Sequence, residues 1–396
     1  MADGLAVSQF TQFVNETGPT VYTSTTDVIN DAQRTNTNTL GYLLRGQNQS
    51  DILQGGSRLT DEIMLSLSPR ARSYKPLEDQ DYQMTETGVF WSAEWRTWMT
   101  DMVVPDMLLE LNAGSDSSAE HRAFMFKNYW FRMQQNAYAE AMEYEESVLW
   151  AVPDKTKMES ATGKEQYSIP CFINEYTNGL AASSDQPGGA WTTVEGIDPT
   201  TAGYENWVPQ RFGYSNTNPS ATADANSFLT AIDDAWMSLN FQPPPHNAQY
   251  FESPTAKPIN VVFTSKKGRI IALRCYRASN DRWDNMKDPF FNPMYDGAPF
   301  VYVKLLDTAA IFPTGAAGAL GNETSTANTN AGPRFFLVQP EYLRKAYHKG
   351  RWMKNLGNMK DRKQPTTSTW PIDTWSNTIC RSRRRHGIIY PTGNIS

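Results

Sequence analysis

The sequence predicts an α+β chain, and three observations carry that prediction. Residues 117–153 form one long amphipathic helical stretch, and residues 56–104 read as a two-stranded excursion. From residue 167 onward, short apolar runs of strand length alternate with helical patterns.

In the long stretch, Ala119, Ala123, Phe126, Trp130, Met133, Ala137, Ala141, Tyr144 and Val148 recur at steps of three or four. That spacing lines side chains along one helix face, so Phe126, Trp130, Met133 and Tyr144 are the expected core of this helix. Ser117 and Glu120 stand three apart as a capping box, and Val152-Pro153 closes the run because the residue before proline leaves helical geometry. At about 1.5 Å per residue the rod is roughly 50 Å long. Arg122, Lys127, Arg132, Gln135, Glu143 and Glu146 are expected on its wet face, which excludes a membrane span here.

Of the 396 residues, 39% are hydrophobic, below the usual soluble share, while 12 are Trp. Many aromatics on a polar chain point to large contacts with polar edges, as in protein–protein interfaces. A formal charge of −6 disfavours a general nucleic-acid binder. Cys171, Cys275 and Cys380 are far apart and odd in number, so buried free thiols are expected rather than a disulfide frame or zinc site. The first residues lack the basic start and apolar run of a signal peptide, and no run of 18 apolar residues occurs.

Residues 1–50 are rich in Thr, Asn and Gln, with a weak helical patch at Val28, Ile29 and Ala32, then Leu40, Leu43 and Leu44. Such a segment buries too little surface to offset its ordering entropy alone. Two readings follow: a floppy tail, or an arm that orders on neighbouring protein, which is the one preferred.

The excursion runs out over 58–67 and returns over 82–104, with Arg70, Arg72, Tyr74 and Lys75 in a basic, proline-punctuated tip. The return carries Trp91, Trp95 and Trp98. An isolated hairpin is marginal in water, so these seven residues are expected to contact a second copy of the chain. An ordinary hairpin folded on its own core is the alternative.

Further on, 167–176 (YSIPCFINEY) reads as a strand and 182–218 as loop. A second helix is expected over 222–240 with Phe228, Leu229, Ile232, Trp236 and Leu239 on one face, stopped by Pro243-Pro244-Pro245. Strands are expected at 259–264, 299–306, 334–338 and 387–390, with Ser265 capping a third helix to about Ala278. Pro340 suits the first turn of a helix through Leu343 and Tyr347, and 313–333 has the composition of a flexible loop.

No catalytic, cofactor or metal constellation emerges. His121, His246, His348 and His386 are scattered without ligand spacing, and Gly163-Lys164 is followed by Glu165, which spoils a P-loop. Asp233-Asp234 and Glu145-Glu146 read as solvated helix faces rather than acid–base pairs. The run 381–385 (RSRRR) is expected to supply intersubunit ion pairs or a lined surface in preference to sequence-specific DNA contacts.

This order of parts resembles the HK97-fold major capsid proteins of tailed bacteriophages. The likeness lies in the polar arm, the hairpin feeding a long helix, the segment Pro187-Gly188-Gly189 through Ile197-Asp198-Pro199-Thr200-Thr201 to Trp207, and the close from Phe335-Phe336-Leu337 to the Arg-rich strand region 380–390. The resemblance implies an N-terminal arm at 1–55, an extended E-loop at 56–104, and a peripheral P-domain at 105–180 with spine helix 117–152. An axial A-domain at 181–333 and a returning segment at 334–396 would complete it.

It also implies a structural role, not an enzyme: self-assembly through hexamers and pentamers into an icosahedral shell around dsDNA, held only by weak non-specific contact. Portal, scaffolding or decoration proteins are the further partners it implies. The place is the virion, assembled in the host cytoplasm, with no membrane and no cofactor. No Lys–Asn pair for the covalent cross-link of some relatives is identifiable. The alternatives are an encapsulin-like compartment and, in a different class, a carbohydrate-binding or -processing protein that stacks sugars on its Trp and Tyr residues.

Overall fold

The computed structural model describes residues 38–45, 52–53, 55–65, 88–105, 119–151, 153–160, 163–174, 193–215, 222–240, 261–278, 294–295, 297–308, 333–357, 359–360 and 367–392. Helix α1 (Asn38–Arg45) is followed by strands β1 (Ile52–Leu53), β2 (Arg58–Met64), β3 (Gly88–Glu94) and β4 (Arg96–Pro105). Then come the long helix α2 (Ala119–Leu149) and two single turns, α3 (Lys155–Met158) and α4 (Ile169–Phe172). Strand β5 (Gln210–Ser215), helix α5 (Thr222–Asn240), strand β6 (Val261–Thr264) and helix α6 (Lys266–Ala278) follow, then β7 (Met294–Tyr295), β8 (Ala298–Tyr302) and the turn α7 (Leu305–Thr308). The chain closes with β9 (Phe335–Val338), β10 (Leu343–His348), β11 (Lys354–Asn355), β12 (Met359–Lys360), β13 (Thr367–Cys380) and β14 (Gly387–Thr392). The α+β class expected from the sequence is the one found.

The chain divides into two compact units. The larger holds a mixed six-stranded sheet in the order β5-β14-β9-β6-β8-β7. Its two central strands, β6 (VVFT) and β9 (FFLV), are buried at every position, as strands covered on both faces must be. Val262, Phe335 and Leu337 face a core built with Phe228, Ile232, Trp236 and Leu239 of α5 and Ala272 of α6. The alternate residues Phe263 and Phe336 meet the Trp150 ring edge-on, at centroid distances of 5.8 and 5.1 Å. Helix α5 matches its predicted bounds, and Ser265 Oγ accepts the Gly268 N–H at 3.2 Å to cap α6 as expected. In the same unit β10 pairs antiparallel with the last residues of β13, from Leu343↔Cys380 to Tyr347↔Ser376, and parallel with β1.

The smaller unit takes residues 99–143 and 353–374 among its segments. There the first residues of β13 pair with β11 (Asn355↔Ile372) and β12 (Met359↔Thr369). Met102, Ala137 and Ile372 form its buried centre, flanked by Met133, Tyr138, Met353 and Trp370. Met133 thus packs half-buried against this centre, while the side chains of Phe126 and Trp130 lie outside the described set.

Four local expectations fail for physical reasons. The run 167–176 makes the single turn α4 instead of a strand, because Pro170 at the head of the turn has no N–H to give a ladder. After Pro340 the chain turns once and enters β10, whose first five residues are all buried; tertiary pairing with β13 overrides the helix signal. The strand expected to 306 stops at Tyr302, and the chain turns into α7 from Leu305. Tyr144 is 42% exposed rather than core, because the buried stripe of α2 runs Ala137, Ala141, Glu145, Val148 and Leu149. The capping residue Ser117, residues 313–332 of the expected loop and Pro243-Pro244-Pro245 lie outside the described residues.

Candidate assembly surface and buried polar sites

Of the seven proposed intersubunit residues, Arg70, Arg72, Tyr74 and Lys75 lie outside the described residues, and the three tryptophans are engaged within their own chain. β2 and β3 form a ribbon with Leu59 opposite Ala93 and Asp61 opposite Trp91. Alternation turns Trp91 and Ala93 to the same side, where each is 2% exposed, and leaves Phe90 68% exposed on the other. Trp95 Nε1 donates to the Gly56 carbonyl at 3.0 Å, and its ring meets His348. Trp98 Nε1 donates to Glu145 Oε1 at 2.6 Å, with its ring 5.1 Å from that of Tyr144. The indoles therefore root the hairpin on its own body, which corrects the expectation that they are displayed. What β3 and β4 do display is Phe90, Met99 and Val103, the last two sharing one face of β4.

The acidic pair on α2 is likewise not a wet face: Glu145 and Glu146 are both fully buried. Lys345, also fully buried, forms an ion pair with Glu145 Oε2 and donates to Gln166 Oε1. Gln166 Nε2 donates to Ser376 Oγ at 2.8 Å, and Ser376 Oγ donates to Glu145 Oε1 at 2.8 Å. A buried ion pair stands only when further hydrogen bonds meet its remaining atoms, as these do. Burial, and then the Glu145 charge, push the Tyr347 hydroxyl well above its ordinary pKa, so it stays neutral.

Glu146 points the other way. Its Oε1 accepts the Thr39 N–H at 3.1 Å and its Oε2 the Leu40 N–H at 2.8 Å, while Trp150 Nε1 donates to Thr39 Oγ1 at 2.9 Å. Burial raises its pKa, and these bonds oppose the shift. Leu40 and Leu43 are 2% and 0% exposed, so this part of the predicted arm packs on its own chain rather than on a neighbour's.

A third buried site surrounds Arg383. Val194 and Ile197 exchange backbone bonds at 3.2 Å around Glu195 (φ 57) and Gly196 (φ 80), a tight turn with both central residues left-handed. That turn offers the Glu195 carbonyl to the Ser92 N–H (3.1 Å) and its carboxyl Oε1 to the Cys380 N–H (3.1 Å). Complete burial holds the Glu195 carboxyl well above the usual range. Arg383 donates to the carbonyls of Phe172 (3.0 Å) and Trp207 (3.2 Å), Arg384 to Asn206, and Arg381 lies 3.4 Å from Asp61. Arg385 stacks 4.1 Å over Tyr342. The arginine run is thus occupied within the chain, a correction to its expected intersubunit role.

Cys171 and Cys380 are buried free thiols as anticipated, with burial raising both well above ordinary thiol values, so neither is a poised nucleophile. Among the described residues no group of three His, Cys, Asp or Glu side chains is placed to hold a metal.

No protein-family model and no curated protein matches the sequence. Solved structures do match. A chain of the Cyanophage A-1(L) capsid asymmetric unit aligns over 93% of this chain and 96% of its own, with 12% identity and a TM-score of 0.53. The capsid of the cyanophage P-SCSP1u aligns over 94% and 93%, with 12% identity and a TM-score of 0.44. The first of these likenesses establishes a shared fold along nearly the whole chain.

Proposed function

We propose that this chain is a major capsid protein with the HK97-like fold, a structural subunit that self-associates into an icosahedral shell around dsDNA. One observation carries the reading: the fold is shared end to end with a chain of a phage capsid asymmetric unit. The uncovered apolar residues Met99 and Val103 on one face of β4 and, separately, Phe90 on β3 support it, since exposed apolar positions suit a contact with another copy.

In this reading residues 1–55 are the arm, 56–104 the E-loop, 105–180 the P-domain with the spine helix 117–152, 181–333 the A-domain, and 334–396 its returning segment. Hexamers and pentamers are the expected rings, because identical subunits repeating one heterologous contact close on themselves. Interfaces of roughly 2,000–5,000 Å² are the scale for such permanent contacts. The tip residues Arg70, Arg72, Tyr74 and Lys75 remain its proposed contacts to a neighbour. The role is mechanical rather than catalytic, and the place is the virion.

The test is electron microscopy and light scattering of the purified full chain. Closed shells or capsomer rings are expected; a chain that stays monomeric at every concentration and salt tried would sink the proposal.

A further inference from the structure

Helix α1 has no acidic residue in its first turn, so its own sequence does not answer the positive end of its dipole. Eight residues are too few for a helix to persist alone in water. The missing acceptor comes from a residue 107 positions away: the two Glu146 oxygens take the Thr39 and Leu40 N–H groups, one each, at 3.1 and 2.8 Å. The Trp150 indole, one helical turn on, closes on the Thr39 hydroxyl at 2.9 Å. Beneath these bonds Leu40 and Leu43 are buried. A second, separate attachment follows in the chain, where β1 pairs with Tyr347 and His348 of β10 and the Lys349 N–H donates to the Leu53 carbonyl at 3.0 Å.

We propose that Glu146 is a clasp whose release undocks α1 while β1 and the sheet core remain folded. The inference does not rest on the shell-forming reading; it concerns a conformational step within one chain. Three features make the clasp a discrete device. Both carboxylate oxygens are used by the helix it holds, the holding residue lies on a different element from the one held, and β1 limits how far an opening can spread.

Hydrogen exchange of the full-length chain, followed by mass spectrometry, tests it. In Glu146→Ala, exchange of the amides at 39–45 should quicken on the order of 10- to 100-fold, the range for losing hydrogen bonds to a charged group. Amides of β6, β9 and β10 should keep their wild-type rates. Glu146→Gln should be intermediate, since it keeps one acceptor oxygen and turns N–H hydrogens toward the other bonded group. Thr39→Val, which loses the Trp150 bond but keeps both backbone N–H groups, should have the smallest effect. Tryptic cleavage after Arg45 should accelerate in the same order. Unchanged exchange at 39–45 in Glu146→Ala would overturn the proposal. So would loss of protection in β6 and β9 together with α1, which would make Glu146 a general stability residue.

Discussion

Trp98 Nε1 donates to Glu145 Oε1 at 2.6 Å, so the return strand of the hairpin ends its aromatic run on the buried carboxylate that also holds Lys345. A single acid thereby ties an indole, an ammonium and the Ser376 hydroxyl. Its removal should be felt in all three.

Lys345→Met is expected to cost about 3–5 kcal/mol in urea unfolding, the range for stranding one member of a buried pair. The double variant Lys345→Met with Glu145→Gln should recover a large part of that loss, because no buried charge is left over. Strict additivity of the two single losses would show that the pair is not coupled.

Trp91→Ala and Phe336→Ala should each destabilise the folded chain by about 3–5 kcal/mol, as buried aromatic truncations do. Phe90→Ala should lie within about 0.5 kcal/mol of the wild type, because the ring is already in water. If the exposed face serves assembly, Phe90→Ala should lower particle yield with the unfolding midpoint unmoved. The two measurements separate folding from association.

His386 is fully buried, its Nδ1 accepting the Gln339 N–H at 3.2 Å. Burial, then the nearby Arg383 and Arg385 charges, push its pKa down to about 3. The unfolded chain therefore binds the extra proton first, so stability falls as pH drops from about 6.5 toward 3, by up to about 1.4 kcal/mol per pH unit from this group. His386→Asn, which keeps an acceptor near Nδ1, should flatten that part of the stability–pH curve relative to wild type.

Glu195 carries the opposite sign. Burial raises its pKa well above the ordinary carboxyl value, so the folded state gains from the protonated form at low pH and loses that advantage as pH rises past the ordinary value. Glu195→Gln keeps an acceptor for the Cys380 N–H without the ionisation. The gap in its favour should widen between pH 4 and pH 7; a gap that narrows would mean that the native carboxyl is charged.

Periodicity made the fold readable where burial agrees with residue type. The apolar face of α5 and the buried strands β6 and β9 announce themselves because every inward position is apolar. It failed where an inward position is polar. Counting by three from Ala141 selects Tyr144, counting by four selects Glu145, and an acid reads as facing water; the structure buries the acid because Lys345 meets it from β10. That partner lies 200 residues on in the sequence, and no local pattern records the pairing. The same holds for Arg383, whose acceptors are the carbonyls of Phe172 and Trp207. Trp95 and Trp98 look unpartnered within 56–104, because the His348 and Tyr144 rings that meet them and the Glu145 carboxylate that bonds Trp98 come from elsewhere in the chain.

The strand order of the larger sheet has a bearing on synthesis. β14 sits between β5 and β9, and among the described residues it is the one strand neighbour of β5. In chain order β6, β8 and β9 can align before β14 is made, but β5 must wait for β14. A chain cut short of residue 387 lacks the strand that joins β5 to β9, so the link between the first and the later strands of this sheet is made last.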